Sequence, residues 1–278
     1  DRKQTDNLNF KVVRILRNQN LLIRWIKTVS QIIRQGYNAD LFFVNGLPME
    51  SYIANIFTRK KLIRKIVGDW AWERGMNKKI VNESFDEFQN NRHNLHLEIA
   101  KFSRGWTATK ADLIITPSNH LKNVVKGWGV KENSIKVIYN GTKLKNKPDP
   151  IDDQPNDYFK FITVGRLAPW KNIDIIIEAL SDYKKANQNF IFHIVGSGPE
   201  EIKLKKLVND LDLENFVTFT GQLQKDDLNY YLQKSDIYIQ ASSYEGLPHV
   251  ILEAMSHNLS IISTPIGGTN EVIQDGIN

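Results

Sequence analysis

Apolar and polar residues alternate along this chain with two periods, which predicts strands and helices that follow one another. In the first half, apolar runs typical of buried strands lie at Lys11–Leu16, Asp40–Val44, Leu62–Val67, Asp112–Thr116 and Ile135–Tyr139. Between them, segments with a helical pattern lie at Leu21–Arg34, Ser51–Phe57, Phe85–Ala108 and Asn119–Trp128. This order predicts parallel βαβ units.

The alternation stops at residues 144–157, which contain three prolines, four aspartates and few apolar residues. Such a composition is typical of a linker. The sequence therefore predicts two units, one over residues 1–143 and one over residues 158–278.

The second unit repeats the pattern of the first. Its strands are predicted at Phe159–Val164, Phe190–Val195, Val217–Thr220, Ile237–Gln240 and Leu259–Ser263. Its helices are predicted at Ile173–Lys185, Glu200–Leu211, Leu228–Lys234 and Pro248–Ser256. Two doubly wound α/β units usually bind their ligand in the cleft between them, at the carboxyl ends of the strands.

The composition of the chain excludes several kinds of functional site. The 278 residues include no cysteine, which excludes disulfides, thiolate catalysis and cysteine-ligated zinc. No apolar run approaches the roughly 18 residues of a membrane-spanning helix.

Charge differs between the two units. Residues 1–143 carry 25 Lys and Arg against 12 Asp and Glu, whereas residues 144–278 carry 12 against 19. The basic first unit suits an anionic membrane surface or a phosphorylated acceptor, or is a solvated surface without a partner. Nucleic acid is not expected, because no basic strand carries interleaved aromatic residues and no reading helix is visible.

Two carboxylates lie eight positions apart at the start of the last predicted helix, Glu245 before a Gly246-Leu247-Pro248 turn and Glu253 inside the helix. Proline is favoured at the first helical position, and glycine lets backbone approach a ligand. The turn therefore predicts free N–H groups at a helix N-terminus, which suits a phosphate or diphosphate.

Other polar motifs follow neighbouring strands. Arg166 and Lys171 flank the turn after Phe159–Val164 and could both reach an anion, or could be surface cations near a helix start. Gly196 and Gly198 follow the next strand, where a tight turn needs glycine for its geometry alone. All of these turns lie on the same predicted edge of one sheet, together with Gly165.

The second unit resembles glycosyltransferase family four, the retaining enzymes of the GT-B fold. The residues that carry the resemblance are Gly165-Arg166 with Lys171-Asn172, Val195-Gly196-Ser197-Gly198-Pro199, Phe219-Thr220-Gly221, Glu245-Gly246-Leu247-Pro248 with Glu253-Ala254, and Thr264-Pro265-Ile266-Gly267-Gly268-Thr269-Asn270-Glu271. The first unit fits the acceptor-side domain of that family in general pattern only. The fold that the resemblance implies is α/β of GT-B type, with two Rossmann-like domains facing across a cleft.

The resemblance also implies roles for residues of the second unit. Arg166 and Lys171 would grip the donor diphosphate, Glu245 would contact the transferred sugar as a catalytic residue, and Glu253 would bind ribose hydroxyls. Backbone at Gly246 and Leu247 would serve the sugar and the diphosphate, and the turns at Gly165, Gly196 and Gly198 would complete the donor site. No metal or other cofactor is expected.

The first unit departs from the family at the end of one strand, where many relatives carry a histidine close to the sugar. This chain reads Ile66-Val67-Gly68-Asp69-Trp70-Ala71-Trp72-Glu73-Arg74 there. One interpretation puts Asp69 beside the sugar or the acceptor hydroxyl as a second catalytic residue, with Glu73 and Arg74 shaping the acceptor pocket. The other makes Asp69 a turn cap beside two packing tryptophans.

The function expected from the resemblance is a retaining, metal-independent glycosyltransferase that moves a sugar from a nucleotide-diphosphate donor to a glycan or lipid-linked acceptor. The alternatives are a catalytically silent nucleotide-sugar-binding module and a GT-B epimerase-like protein. We expect a cytoplasmic location, with a peripheral contact at the inner face of the membrane left open. The family pattern further predicts that the chain is a fragment, truncated at both ends.

Overall fold

The structure, a computed structural model, describes residues 10–142 and 158–277 and contains two parallel sheets. The first has the order β1-β2-β3-β4, and its strands are β1 (Leu41–Val44), β2 (Lys61–Lys65), β3 (Leu113–Thr116) and β4 (Ile135–Val137). The second has the order β7-β6-β5-β8-β9, and its strands are β5 (Phe159–Val164), β6 (Phe190–Val195), β7 (Val217–Gly221), β8 (Ile237–Gln240) and β9 (Ser260–Ser263). The two-unit α/β organisation follows the prediction, while the linker at residues 144–157 lies outside the described residues.

The described residues contain ten α-helices. Those of the first unit are α1 (Leu21–Gly36), α2 (Pro48–Thr58), α3 (Trp70–Asn77), α4 (Phe85–Asn90), α5 (Leu95–Thr109) and α6 (Asn119–Gly127). Those of the second are α7 (Ile173–Lys184), α8 (Glu201–Asp210), α9 (Lys225–Gln233) and α10 (His249–Ser256). No helix in the described ranges has both the length and the apolar content needed to cross a membrane.

Strand β5 shows why the second sheet is covered on both faces. Phe161 belongs to one buried cluster together with residues of α7 and α8. Ile162, the next residue, belongs to a second cluster together with Leu232 and Ile251 of α9 and α10. Because successive side chains of a strand point to opposite faces, a central parallel strand reads as a continuous apolar run.

The structure corrects three elements of the prediction. Residues 11–16 form no strand, and Val12, Val13 and Leu16 are exposed, since none of the described strands pairs with this segment. The predicted helix at Phe85–Ala108 is two helices, because Asn94 caps a new start at α5. Helix α3 was not predicted, although Asp69 immediately before it is a strong N-cap signal.

An aromatic cluster joins the two units. The ring of Trp72 in α3 lies 5.5 Å from that of Trp170, which follows β5, and 5.2 Å from that of Tyr244, which follows β8. Phe85 stacks on Tyr244 with ring centroids 3.8 Å apart. Trp72 is fully buried, so the cluster forms a small core shared by both units.

We predict that Trp72→Ala destabilises the whole chain by about 3–5 kcal/mol, since it removes a buried indole from a close-packed site. Denaturant unfolding followed by circular dichroism measures the loss. Ile202→Ala is the control, because Ile202 is 86% exposed. Equal unfolding midpoints for the two variants would show that the cluster contributes little.

Candidate functional site

The candidate site lies at the topological switch point of the second sheet, where successive strands are added on opposite sides of β5. Strand β5 is central, with β6 on one side and β8 on the other, so the turns after β5 and β8 diverge and leave a crevice between them. In open α/β sheets ligands bind at this switch point, outside the carboxyl ends of the strands. Arg166 and Lys171 follow β5, and Glu245 follows β8.

The glycine turns after β5 and β6 pack directly against one another. A Cβ atom on Gly196 would lie 1.8 Å from the Gly165 carbonyl oxygen, and one on Gly198 would lie 2.2 Å from the Leu167 carbonyl oxygen. Glycine is therefore required here by backbone contact. Both glycines also line a cavity of about 600 Å³ that includes Arg166.

A larger cavity, of about 840 Å³, lies in the first unit between α4, α5 and α6. Trp106 and Trp128 are among its lining residues. It contains none of the site residues predicted from the sequence, so the crevice of the second unit is the better candidate.

Lys171 and Glu245 form an ion pair across the crevice. The Ser242 hydroxyl donates a second hydrogen bond to Glu245, at 2.7 Å. The side chains of Lys171 and Glu245 are only 19% and 11% exposed, so water screens this pair weakly. The structure thus brings together one cation and the first glutamate of the predicted site, with the exposed Arg166 on the same turn as Lys171.

Glu253 lies on α10, eight residues after Glu245. Burial raises the pKa of the Tyr238 hydroxyl, and the charges of Glu245 and Glu253 raise it further. Tyr238 lies on β8, beneath the turn that carries Glu245.

The turn between β8 and α10 contacts the first unit. A Cβ atom on Gly246 would lie 2.3 Å from the Val67 carbonyl oxygen, and the Asn140 side chain donates a hydrogen bond to the Leu247 carbonyl at 2.8 Å. Within residues 10–142 and 158–277, the backbone amides of Gly246 and Leu247 donate no hydrogen bond. Neither N–H group thus has an acceptor among these residues.

The prediction for Pro248 was wrong by one position. Pro248 is the N-cap of α10, with φ −72° and ψ 126°, and the helix begins at His249. Its extended backbone completes the turn, so the proline precedes the first helical residue.

Asp69 does not lie in the crevice. Its side chain has no exposed surface, caps α3 by accepting a hydrogen bond from the Ala71 amide at 3.0 Å, and is paired with buried Arg104. Gln89 donates a further hydrogen bond to it at 3.0 Å. These contacts occupy the Asp69 carboxylate, and they fit the interpretation of Asp69 as a turn cap rather than as a catalytic residue.

Glu73, one helical turn further along α3, is the carboxylate that faces the crevice from the first unit. Burial raises its pKa, the charges of Arg166 and Lys171 oppose that shift, and Glu245 adds to it. The four charged groups therefore act on one another. Arg74, the next residue, is exposed. The sequence-based interpretation gave Glu73 a part in shaping the acceptor pocket beside Asp69, and its position depends on how the two units meet.

A third glycine turn, at Gly267–Glu271, contacts the first unit through hydrogen bonds. The carboxylate of Glu271 accepts hydrogen bonds from the amides of Asn119 at 2.9 Å and His120 at 2.8 Å, and from the Tyr139 hydroxyl at 2.8 Å. It thus caps the N-terminus of α6 from the opposite unit. Burial alone would raise the pKa of Glu271, but these hydrogen bonds hold it below its usual value.

Two protein-family models match this chain, one for each unit. The model of the family described as Glycosyltransferase Family 4 matches residues 3–146, and that of the family described as Glycosyl transferases group 1 matches residues 145–278. Together they account for nearly the whole chain.

Curated relatives match a part of the chain. An uncharacterized glycosyltransferase of Methanocaldococcus jannaschii is 33% identical over 177 residues, 61% of this chain and 45% of the relative. The GPI3 subunit of phosphatidylinositol N-acetylglucosaminyltransferase of Saccharomyces cerevisiae is 29% identical over 175 residues, 60% of this chain and 39% of the relative. The matches thus span less than half the length of these relatives.

Solved structures share the fold. HepE of Anabaena, in complex with UDP and glucose, superposes with a TM-score of 0.72 at 22% identity, over 90% of this chain and 66% of HepE. Sucrose-phosphate synthase of Thermosynechococcus elongatus superposes with a TM-score of 0.72 at 22% identity, over 93% of this chain and 65% of the synthase. Both similarities support the two-unit GT-B architecture.

We predict that Glu271→Gln lowers the free energy of unfolding at pH 7 by about 1 kcal/mol, because a neutral amide caps a helix more weakly than a carboxylate. The pKa of Glu271 is lowered in the folded chain, so its contribution is present above the unfolded value of 4.5 and is lost as pH falls through the folded value. Thermal unfolding from pH 7 to pH 3 should show the difference between variant and wild type shrinking. A difference independent of pH, or one shared by the exposed control Glu214→Gln, would contradict the assignment.

Proposed function

Because this chain belongs to glycosyltransferase family four, whose family model matches residues 3–146, we propose that it is a retaining, metal-independent glycosyltransferase that uses a nucleotide-diphosphate-sugar donor. The observation that carries the proposal is the Lys171–Glu245 pair at the switch point of the second sheet, beside the free amides of Gly246 and Leu247. This arrangement offers a cation and two N–H groups to an anion, next to a carboxylate suited to hydroxyl groups.

The proposed role of the cations follows from the charge that develops on the leaving diphosphate. As the bond between the anomeric carbon and the donor diphosphate breaks, negative charge grows on the leaving phosphate. Arg166, Lys171 and the turn before α10 would stabilise that charge without a metal ion. Glu245 would accept hydrogen bonds from the sugar, and Glu253 would accept them from the ribose.

The acceptor that we propose is a glycan or a lipid-linked glycan. The basic character of residues 1–143 supports a peripheral contact with an anionic membrane, on the cytoplasmic side. Vesicle sedimentation with and without anionic lipid, at low and at high salt, would test this contact.

A thermal-shift screen of the full chain is the first test of the donor site. Among UDP-, GDP- and ADP-sugars, at least one should raise the unfolding temperature in a concentration-dependent way, since a ligand that binds only the native state stabilises it. Release of the nucleoside diphosphate in the presence of acceptor would then separate an enzyme from a silent binding module. If no nucleotide-sugar shifted the transition, the donor-site proposal would be wrong.

Glu253→Gln should weaken binding of the donor found in that screen by about 1–3 kcal/mol, because an amide accepts hydrogen bonds from ribose more weakly than a carboxylate. Calorimetric titration measures the change. Glu178→Gln is the matched control, since Glu178 is exposed on α7. Equal affinities in all three proteins would remove Glu253 from the ribose site.

Arg166→Met should depress kcat by about 100-fold, while the ranking of alternative sugar donors stays the same, because the lost charge acts on the leaving diphosphate. Steady-state release of nucleoside diphosphate from two donors gives both quantities. Arg92→Met, an exposed position in the first unit, controls for loss of one positive charge. A normal kcat in Arg166→Met would exclude this residue from the diphosphate site.

A further inference from the structure

Glu73 is held at the crevice by the aromatic cluster. Trp72 packs against Trp170 and Tyr244 of the second unit, so the residue after Trp72 emerges at the boundary between the units. A Cβ atom built on Gly68 would lie 2.7 Å from Glu73 Oε1 and 3.5 Å from the Tyr244 hydroxyl oxygen. The carboxylate therefore lies against the Gly68 backbone, close to Tyr244, and no larger residue at position 68 leaves it there.

Glu73 differs from the other two carboxylates of this region in having no partner. Asp69 is paired with Arg104, and Glu245 is paired with Lys171. Throughout residues 10–142 and 158–277, no hydrogen bond or ion pair is made by the Glu73 carboxylate. Glu73 is half-buried, and a carboxylate in this position keeps its hydrogen-bonding capacity for water or for a ligand that enters the crevice.

Charge identifies the kind of ligand. Arg166 and Lys171 act on Glu73 from the second unit, and the Glu245 carboxylate repels it. A diphosphate held by the two cations would also repel Glu73, so Glu73 does not bind the anionic part of the donor. Its missing partner is a neutral hydroxyl. Since it belongs to the unit opposite the proposed donor site, that hydroxyl comes from the acceptor side.

We propose that Glu73 positions the attacking hydroxyl, by accepting a hydrogen bond from the acceptor, or from water when no acceptor is bound; this rests on the donor site proposed above. The role needs a carboxylate oxygen that no protein group occupies, placed at the boundary between the two units. Glu73 meets each condition, whereas Asp69 is enclosed by its own contacts.

The test compares Glu73→Gln with wild type in the full chain, with UDP, GDP and ADP as probes of affinity. Single-turnover hydrolysis of the corresponding glucose nucleotide, with enzyme in excess, probes the attacking water. Glu73→Gln should bind the nucleoside diphosphate about two- to tenfold more tightly, because one negative charge beside Arg166 and Lys171 is gone. It should hydrolyse the sugar nucleotide about tenfold more slowly or worse, because the carboxylate that holds the water is gone.

These opposite changes distinguish positioning from a structural role, since damage to the fold would weaken affinity and turnover together. Glu73→Asp, which keeps the charge, should retain wild-type affinity and recover part of the hydrolysis rate. Glu178→Gln should match wild type in both measurements.

Hydrolysis by Glu73→Gln at the wild-type rate would overturn the proposal, and so would a loss of both affinity and rate. Wild-type protein that binds the sugar nucleotide but releases no free glucose would also overturn it, because no attacking hydroxyl would then be held. Failure of wild type to bind any of the three nucleoside diphosphates would instead refute the donor site on which the proposal rests.

Discussion

The contact of Trp72 with Trp170 and Tyr244 determines where the charged groups of the candidate site lie. Each of these aromatic residues is followed directly by a charged one, so the packing of three rings between the units also sets the places of Glu73, Lys171 and Glu245. Rings pack in few relative orientations, and a buried indole cannot shift without opening a cavity. Hydrophobic packing thereby sets the positions of these three charged side chains. It places Glu73 near the Lys171–Glu245 ion pair without an ion-pair partner of its own among the described residues.

Close approach of backbone segments is the second constraint. Gly196 and Gly198 let the turns after β5 and β6 touch, while Gly246 lets the turn after β8 reach the Val67 carbonyl of the first unit. A side chain at any of these positions would separate segments that now lie in contact. Glycine is therefore needed first for the shape of the crevice.

The two units are also joined by polar contacts at the other side of the crevice. Glu271 caps helix α6 of the first unit, and Asn140 binds the Leu247 carbonyl beside α10. These contacts come from the same turns that border the crevice. A change in the relative position of the units would therefore alter the shape of the candidate site and the environment of Glu73 together.

Short-range patterns in the sequence predicted the alternation of strands and helices, the glycine turns at strand ends, and the places of Glu245 before α10 and of Glu253 within it. These are properties of short segments with a regular period, and the structure has most of the predicted elements, apart from the strand at residues 11–16, the single helix at residues 85–108 and the missed helix α3. The sequence could not determine which carboxylate of the first unit faces the second. Asp69 and Glu73 are four residues apart on the same short segment. Only the meeting of Trp72 with Trp170 and Tyr244 turns Glu73 toward the crevice and leaves Asp69 enclosed beside Arg104, because that contact joins residues about 100–170 positions apart in the chain.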